Sequence, residues 1–133
     1  MTICLLTSAG SARQQNGTSE AFSMGEGGQR ITCVVDGDTF WFRGEKIRIA
    51  DIDTPELSAP RCERERKRGL AAKQHLLVIL NSGPLSFKVG ARDEDRFGRK
   101  LRIVYWDQRS VGDILVAEGL ARKWQGSRRS WCE

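Results

Sequence analysis

The sequence predicts a β-rich α+β domain in which five short strands close into a small barrel with two to three helices. Three observations predict this class. β-Branched and aromatic residues recur in short runs that are separated by turn residues, as in a strand meander. One longer segment has apolar residues at helical spacing. The length of 133 residues allows one domain with one modest core.

The first 29 residues differ in composition from the rest. They are rich in Thr, Ser, Gly, Gln and Asn and contain few side chains that could build a core. We expect residues 1–29 to be a disordered leader or the remnant of a signal peptide, and residues 30–133 to form the folded domain. Small residues at 9–12 resemble a cleavage site, but the apolar stretch before them is short and no Lys or Arg precedes it. Both interpretations stay open.

Three strands are predicted to follow as a meander. Residues 31–35 are mostly β-branched, residues 39–43 resume after a turn, and residues 46–50 alternate polar and apolar side chains. The chain leaves this third strand around residues 53–55, because proline donates no ladder hydrogen bond and restricts the residue before it.

A helix is predicted over Glu63 to Leu80. Its first two turns are strongly charged, and Leu70, Leu77 and Leu80 are expected on one face. The sequence Asn-Ser-Gly-Pro that follows carries both helix-ending signals.

The remaining elements are two strands and a short helix. Strands are predicted at 85–89 and 100–106, around a polar loop at 92–99. Ser110 and Asp113 have the spacing of a capping box before a short apolar helix, and the tail shows no clear period. This order fits a five-stranded barrel of the oligonucleotide-binding type (OB-fold), with an open α+β sheet as the alternative.

Two acidic segments stand out in a chain whose net charge is +5. They are Val-Asp-Gly-Asp-Thr at 35–39 and Asp-Ile-Asp-Thr-Pro-Glu at 51–56, with Arg48 between them. A hard divalent cation prefers oxygen ligands. A phosphodiester under attack needs positive charge and a positioned water. The pattern therefore favours metal-assisted chemistry on a phosphate, although each segment alone is also typical of a turn or a helix start.

Together with two later segments, this pattern resembles the thermonuclease (staphylococcal nuclease-like) family. The similar segments are 35–39, Arg48 with 53–56, 95–99 and 117–121, within about residues 30–123. The resemblance implies the OB-fold barrel just described. It also implies calcium-dependent, largely sequence-nonspecific hydrolysis of DNA and RNA that leaves 3′-phosphates, with single-stranded or unpaired substrates preferred.

The resemblance also implies a ligand set and a group that acts on water. Asp38 and Asp53 would be calcium carboxylates, and the main-chain carbonyl of Thr54 would be a further ligand. Glu56 would act on the attacking water. Asp36 is similar to a family position that shapes the loop near the metal.

By the same resemblance, Arg48 and Arg99 would hold the phosphate. Arg96 and Phe97 stand where the family has a Lys-Tyr pair, so a cation and a stacking face are kept and a hydroxyl is lost. The chain has no tyrosine after position 105, and Trp124 lies near the family's C-terminal tyrosine and could stack on a base.

The four cysteines are Cys4, Cys33, Cys62 and Cys132, at wide spacings that do not predict a zinc site. A bridge between Cys62 and Cys132 would attach the C-terminus to the body if the protein is exported; otherwise the cysteines would be unpaired small hydrophobes. We expect secretion or a periplasmic location, with the cytoplasm left open.

An alternative function is a catalytically silent OB-fold module that binds nucleic acid or a protein partner. A calcium-stabilised structural domain is a third. We expect the protein to be a monomer. We also expect no attachment to a membrane, since no apolar run approaches the length of a spanning helix.

Overall fold

The computed structural model describes residues 21–24 and 32–132. Within these ranges the chain forms nine strands and two helices, and all five strands and both helices expected from the sequence are among them. The strands are β1 (Ser23–Met24), β2 (Cys33–Asp36), β3 (Thr39–Phe42), β4 (Glu45–Ile49), β5 (Ile52–Asp53), β6 (Leu85–Glu94), β7 (Lys100–Trp106), β8 (Arg109–Ser110) and β9 (Arg122–Lys123), and the helices are α1 (Glu63–Leu80) and α2 (Val111–Ala117).

Seven strands form one mixed sheet. Its order is β1-β2-β3-β4-β7-β6, with β8 paired to β7. β1 runs parallel to β2 and β4 runs parallel to β7, while the other pairs are antiparallel. The β-rich α+β class and the OB-like arrangement are therefore confirmed. The predicted closure into a barrel is not found in the described part of the chain, because the two edge strands, β1 and β6, do not pair with each other.

Two local differences from the sequence prediction have simple causes. β6 continues to Glu94, five residues beyond its predicted end, and Glu94 pairs with Lys100 after an irregularity in the register. Lys100 also forms an ion pair with Glu94 at 2.6 Å, so the charged residues support a strand instead of a loop. The C-terminal tail contains β9, which pairs with β5. A two-residue strand is too short to give a periodic pattern.

The core lies between the sheet and α1. Its largest fully buried side chains include Phe40, Ile49, Leu76 and Leu115. α1 buries a face that contains Leu76, Ile79 and Leu80, whereas Leu70 is 38% exposed. Of the predicted face, Leu80 is buried and Leu77 packs against the core, so only the placement of Leu70 was wrong. No helix in the described ranges is long and apolar enough to span a membrane.

A short N-terminal segment packs on this core. Phe22 is buried against the rings of Phe40 and Phe42, at centroid distances of 5.7 and 6.0 Å. Its main-chain N–H donates to Asn81 Oδ1 at 2.7 Å. The sequence assigned this segment to the leader. Residues 1–20 and 25–31 lie outside the described residues, so the leader itself stays a prediction.

Candidate active site

The turn between β2 and β3 places Asp38 beside the segment that follows β5. A Cβ added at Gly37 would lie 2.6 Å from the Ala72 Cβ of α1 and 3.0 Å from the Thr54 Cβ. Only glycine therefore allows the turn to pack this closely on the helix and on Thr54. The main-chain N–H of Thr54 donates to Asp38 Oδ2 at 3.4 Å, and the N–H of Asp38 donates to Asp36 Oδ1 at 3.3 Å.

Arg48 joins the two acidic segments. The register pairs it with Thr39, so its side chain is presented next to Asp38. The guanidinium is buried; Nη1 donates to the carbonyl of Ile52 at 2.9 Å. Nη2 lies 3.4 Å from Asp38 Oδ2 and 3.7 Å from Asp53 Oδ1. Three of the residues predicted from the sequence thus meet at one buried charge cluster.

Burial and charge separate the pKa values of the three aspartates. Burial, reinforced by the neighbouring Asp38 carboxylate, raises the pKa of Asp36 well above its ordinary value. Burial also opposes ionisation of Asp38, but the charge of Arg48 and the hydrogen bonds with Asp36 and Thr39 together prevail, and the pKa of Asp38 is lowered. For Asp53, burial prevails over the attraction of Arg128, and the pKa is raised. The cluster thus contains three aspartates and two arginines, Arg48 and Arg128.

Glu56 is held at both carboxylate oxygens. Ser58 Oγ donates to Oε2 at 2.7 Å, and Arg128 Nη2 lies 3.1 Å from Oε1. The main-chain N–H of Glu56 donates to Glu65 Oε2 at 3.1 Å, and that of Arg61 donates to Glu65 Oε1 at 2.8 Å. Glu65 is buried, and these two hydrogen bonds fix the loop that carries Glu56.

The sequence did not indicate the contacts of Glu65, which it placed only in the strongly charged first turns of the predicted helix. The available signal was its place in the first turn of α1, three residues after the N-cap Cys62, where a Glu side chain commonly reaches back to main-chain N–H groups.

Arg128 is the second residue of the cluster that the sequence did not indicate. Its Nη2 lies 3.1 Å from Asp53 Oδ1 and 3.1 Å from Glu56 Oε1, and the side chain is half exposed. The tail that carries it is attached by a disulfide between Cys62 and Cys132, with a Cα–Cα distance of 6.0 Å. This is the bridge that the sequence left open. The sequence drew attention to the tail through the possible Cys62–Cys132 bridge and through Trp124, but neither indicated Arg128.

Arg99 lies in a loop organised by Asp95. The Asp95 carboxylate accepts the main-chain N–H groups of Phe97 and Arg99 at 2.9 and 3.0 Å, and Arg99 Nε at 2.7 Å. Gly98 has a φ of +81°, which favours glycine. Lys100, the next residue, pairs with Ile47 of β4, so the loop opens beside the strand that carries Arg48. Within the described ranges no hydrogen bond or ion pair links Arg99 to the acidic cluster.

The predicted stacking residues are on the surface. Phe97 is 69% exposed, and the guanidinium carbons of Arg96 and Arg99 lie 5.1 and 5.5 Å from its ring centroid. Trp124 is 40% exposed, and its ring centroid lies 5.3 Å from the guanidinium carbon of Arg48. Trp124 therefore joins the cluster around Arg48, whereas Phe97 and Arg96 form a separate cationic and aromatic surface.

The donor chemistry around Asp38 and Asp53 fits calcium. Asp53 Oδ1 is buried and accepts no hydrogen bond, although two guanidinium groups lie nearby. A buried carboxylate oxygen without a hydrogen bond suits a hard cation. No three acidic, histidine or cysteine side chains of the described chain converge into a complete metal centre. Two carboxylates with the Thr54 carbonyl thus remain the predicted set.

Comparison with known proteins finds one matching family model and several relatives that are named as nucleases. A family model described as staphylococcal nuclease homologue matches residues 46–131, a range that begins after Asp38 and includes Arg128. Endonuclease YncB of Bacillus subtilis (strain 168) is 37% identical over 93 residues, covering 66% of this chain and 44% of the relative. The SPbeta prophage-derived endonuclease YokF of the same strain is 38% identical over 93 residues, covering 66% and 31%. The thermonuclease of Staphylococcus intermedius is 28% identical over 96 residues, covering 69% and 56%. The chain thus spans from about a third to just over half of the length of these relatives.

Proposed function

The chain belongs to the staphylococcal nuclease family, and we propose that it is a calcium-dependent, largely sequence-nonspecific nuclease that hydrolyses DNA and RNA. One observation carries the proposal: Asp38, Arg48 and Asp53 meet in a buried cluster, and Arg128 joins this cluster to Glu56. The names of the relatives, two endonucleases and a thermonuclease, support the reaction class.

The side chains would act on a phosphodiester as follows. Glu56 takes a proton from a water that attacks phosphorus, and the bond from phosphorus to the 5′ oxygen breaks. The 5′ oxygen takes a proton from solvent and Glu56 returns its own to solvent, which leaves a 3′-phosphate and a 5′-hydroxyl. Arg99 donates to phosphate oxygens, and Arg48 places positive charge beside the developing negative charge. Calcium, when bound to Asp38, Asp53 and the Thr54 carbonyl, would supply Lewis-acid stabilisation of that charge.

The surface supports a preference for unpaired strands. Phe97 and Trp124 expose aromatic faces on which splayed bases could stack, and bases in a duplex are not free to do so. The Cys62–Cys132 disulfide supports secretion or a periplasmic location, because such bonds persist in oxidising compartments. We further propose that the protein acts as a monomer.

Digestion of single-stranded DNA, plasmid and RNA, in calcium or in EDTA, tests the proposal. We expect cutting by the wild type in calcium only, and a loss of about 100-fold or more in Glu56→Gln and in Arg99→Ala. Cutting that resists EDTA, or equal cutting by all three proteins, would contradict the proposal.

A catalytically silent binding module is the second candidate. Arg48 and Arg99 are both engaged in ion pairs with aspartates of the same chain, which is the observation that favours it. This function predicts nucleic acid binding with no products in calcium. If the wild type forms cleavage products and Glu56→Gln does not, the protein is an enzyme and not a silent binding module.

A further inference from the structure

We propose that the C-terminal tail supplies a third active-site arginine: Arg128 is a positioning residue that fixes the carboxylate of Glu56 for proton transfer. The inference rests on the proposed nuclease function. Arg128 lies beyond the segment whose motifs carry the resemblance, and it is assigned from contacts alone.

Arg128 completes the restraint of Glu56. Its Nη2 lies 3.1 Å from Oε1, while the Ser58 hydroxyl donates to Oε2 at 2.7 Å. A glutamate side chain has several rotatable bonds, and contacts that hold both its main chain and its carboxylate restrict its rotamers. Here the main-chain N–H is held by Glu65 and the two oxygens are held by separate donors. A base restrained in this way stays in one orientation toward the attacking water.

The tail is anchored around Arg128. Trp131 is buried, and the guanidinium carbon of Arg122 lies 3.7 Å from its ring centroid. Arg122 Nη1 also donates to the carbonyl of Arg129 at 3.2 Å. Cys132 is bonded to Cys62, and β9 pairs with β5 on the other side of Arg128. A half-exposed arginine is usually mobile, but the main chain that carries this one is fixed at both sides.

Arg128 has opposite effects on the two carboxylates that it contacts. Asp53 is a predicted calcium ligand, so a guanidinium 3.1 Å from its Oδ1 repels a cation that arrives there. Glu56 needs its partner in order to be oriented. Removal of the guanidinium should therefore lower kcat and at the same time tighten calcium binding. A variant that merely damages the fold would lose both together.

The experiment compares Arg128→Ala with Arg129→Ala, the adjacent exposed arginine. Both variants remove one positive charge from the tail. A change in KM that the two variants share is therefore an effect of the lost charge, and a difference in kcat between them is an effect of the position of Arg128. For Arg128→Ala we expect kcat to fall about 10- to 100-fold relative to Arg129→Ala. Calcium affinity, measured by titration calorimetry without nucleic acid, should rise about fivefold. Added guanidinium ion, below concentrations that unfold the protein, should restore part of the kcat of Arg128→Ala and leave the wild type unchanged.

Three results would overturn the proposal. Equal kcat values for the two variants would overturn it and leave the nuclease function intact. A fall in kcat together with weaker calcium binding and no rescue by guanidinium would assign Arg128 a structural role. A wild type that binds calcium and never cuts would overturn the nuclease function and the positioning role with it.

Discussion

Arg48 and Asp38 form an ion pair in the protein interior, with Nη2 3.4 Å from Oδ2 and side chains that are 9% and 7% exposed. The pairing of β3 with β4 produces this contact, because Thr39 and Arg48 face each other across the two strands. Each charge depends on the other for compensation, since water is excluded from both.

Removal of Arg48 alone should therefore be costly. We expect Arg48→Gln to lower the free energy of unfolding by about 3–5 kcal/mol, because it removes the ion-pair partner of the buried Asp38 carboxylate. The double variant Arg48→Gln with Asp38→Asn should recover part of that loss. Urea denaturation measures both. Arg66→Gln is the control, since its pair with Glu63 is exposed and should change stability by less than about 1 kcal/mol. Equal losses at the two arginines would contradict the buried pair.

Calcium should stabilise the fold through Asp53. A ligand that binds only the native state raises stability by RT ln(1 + [L]/Kd), which is about 2.7 kcal/mol at 100 times Kd. We expect calcium to raise the Tm of the wild type and to leave the Tm of Asp53→Asn unchanged. The control is Asp113→Asn, which removes an exposed carboxylate paired with Lys123. A calcium shift that persists in Asp53→Asn would place the ion elsewhere.

The parts of this fold that the sequence predicted are those with a repeating or paired signal. Alternating strands, the long helix and the Ser110–Asp113 cap all follow from local rules, and Ser110 Oγ does accept the N–H of Asp113. The meeting of Asp38 and Asp53 at Arg48 was implied by resemblance to a family rather than by spacing.

Arg128 could not be predicted in the same way. Its contacts with Asp53 and Glu56 join residues more than seventy positions apart through a tail with almost no regular structure. Such contacts depend on tertiary packing, which leaves no local pattern. Barrel closure, which the described strands do not show, could not be predicted for a related reason, because the sequence of strands along the chain does not determine whether the two edges of a sheet pair.

Asp95 should make loop stability depend on pH. Burial disfavours its charge, but hydrogen bonds from Arg99 and Phe97 prevail, and the pKa of Asp95 is lowered. Its stabilising contribution is thus complete above the unfolded pKa of about 3.9 and is lost as pH falls through the lower folded pKa. We expect Asp95→Asn to lose about 1–2 kcal/mol at pH 7. The difference in free energy of unfolding between Asp95→Asn and the wild type should disappear below about pH 4, as acid denaturation would measure.

Nuclease activity provides a second readout for Asp95. Arg99 loses its carboxylate partner in Asp95→Asn, so kcat should fall as well. Asp107→Asn is the matched control, because this exposed residue has a φ of +51°, which asparagine also tolerates. A stability gap that stays constant down to pH 2 would rule out Asp95 as its source.

The Cys62–Cys132 disulfide should be a major source of stability. It joins residues 70 positions apart, and closing a loop of that length in the unfolded chain contributes about 4 kcal/mol in the chain-entropy model. The double variant Cys62→Ser with Cys132→Ser should lose about that much in urea denaturation. Substitution is preferable to a reductant, which would act on every disulfide in the chain. A loss below about 1 kcal/mol would mean that Trp131 and β9 hold the tail without the bond.

Phe97 should contribute to substrate binding rather than to chemistry. Its ring is 69% exposed, with the guanidinium carbons of Arg96 and Arg99 5.1 and 5.5 Å from its centroid, so it offers a base a stacking surface beside two positive charges. We expect Phe97→Ala to raise KM for single-stranded DNA about 5- to 150-fold with little change in kcat, since stacking is worth about 1–3 kcal/mol per base. Phe97→Tyr should keep the wild-type KM, because it keeps the face. Val78→Ala, which removes another exposed apolar side chain, on α1, should change neither constant. An unchanged KM in Phe97→Ala would show that bases bind elsewhere, with Trp124 the next surface to test.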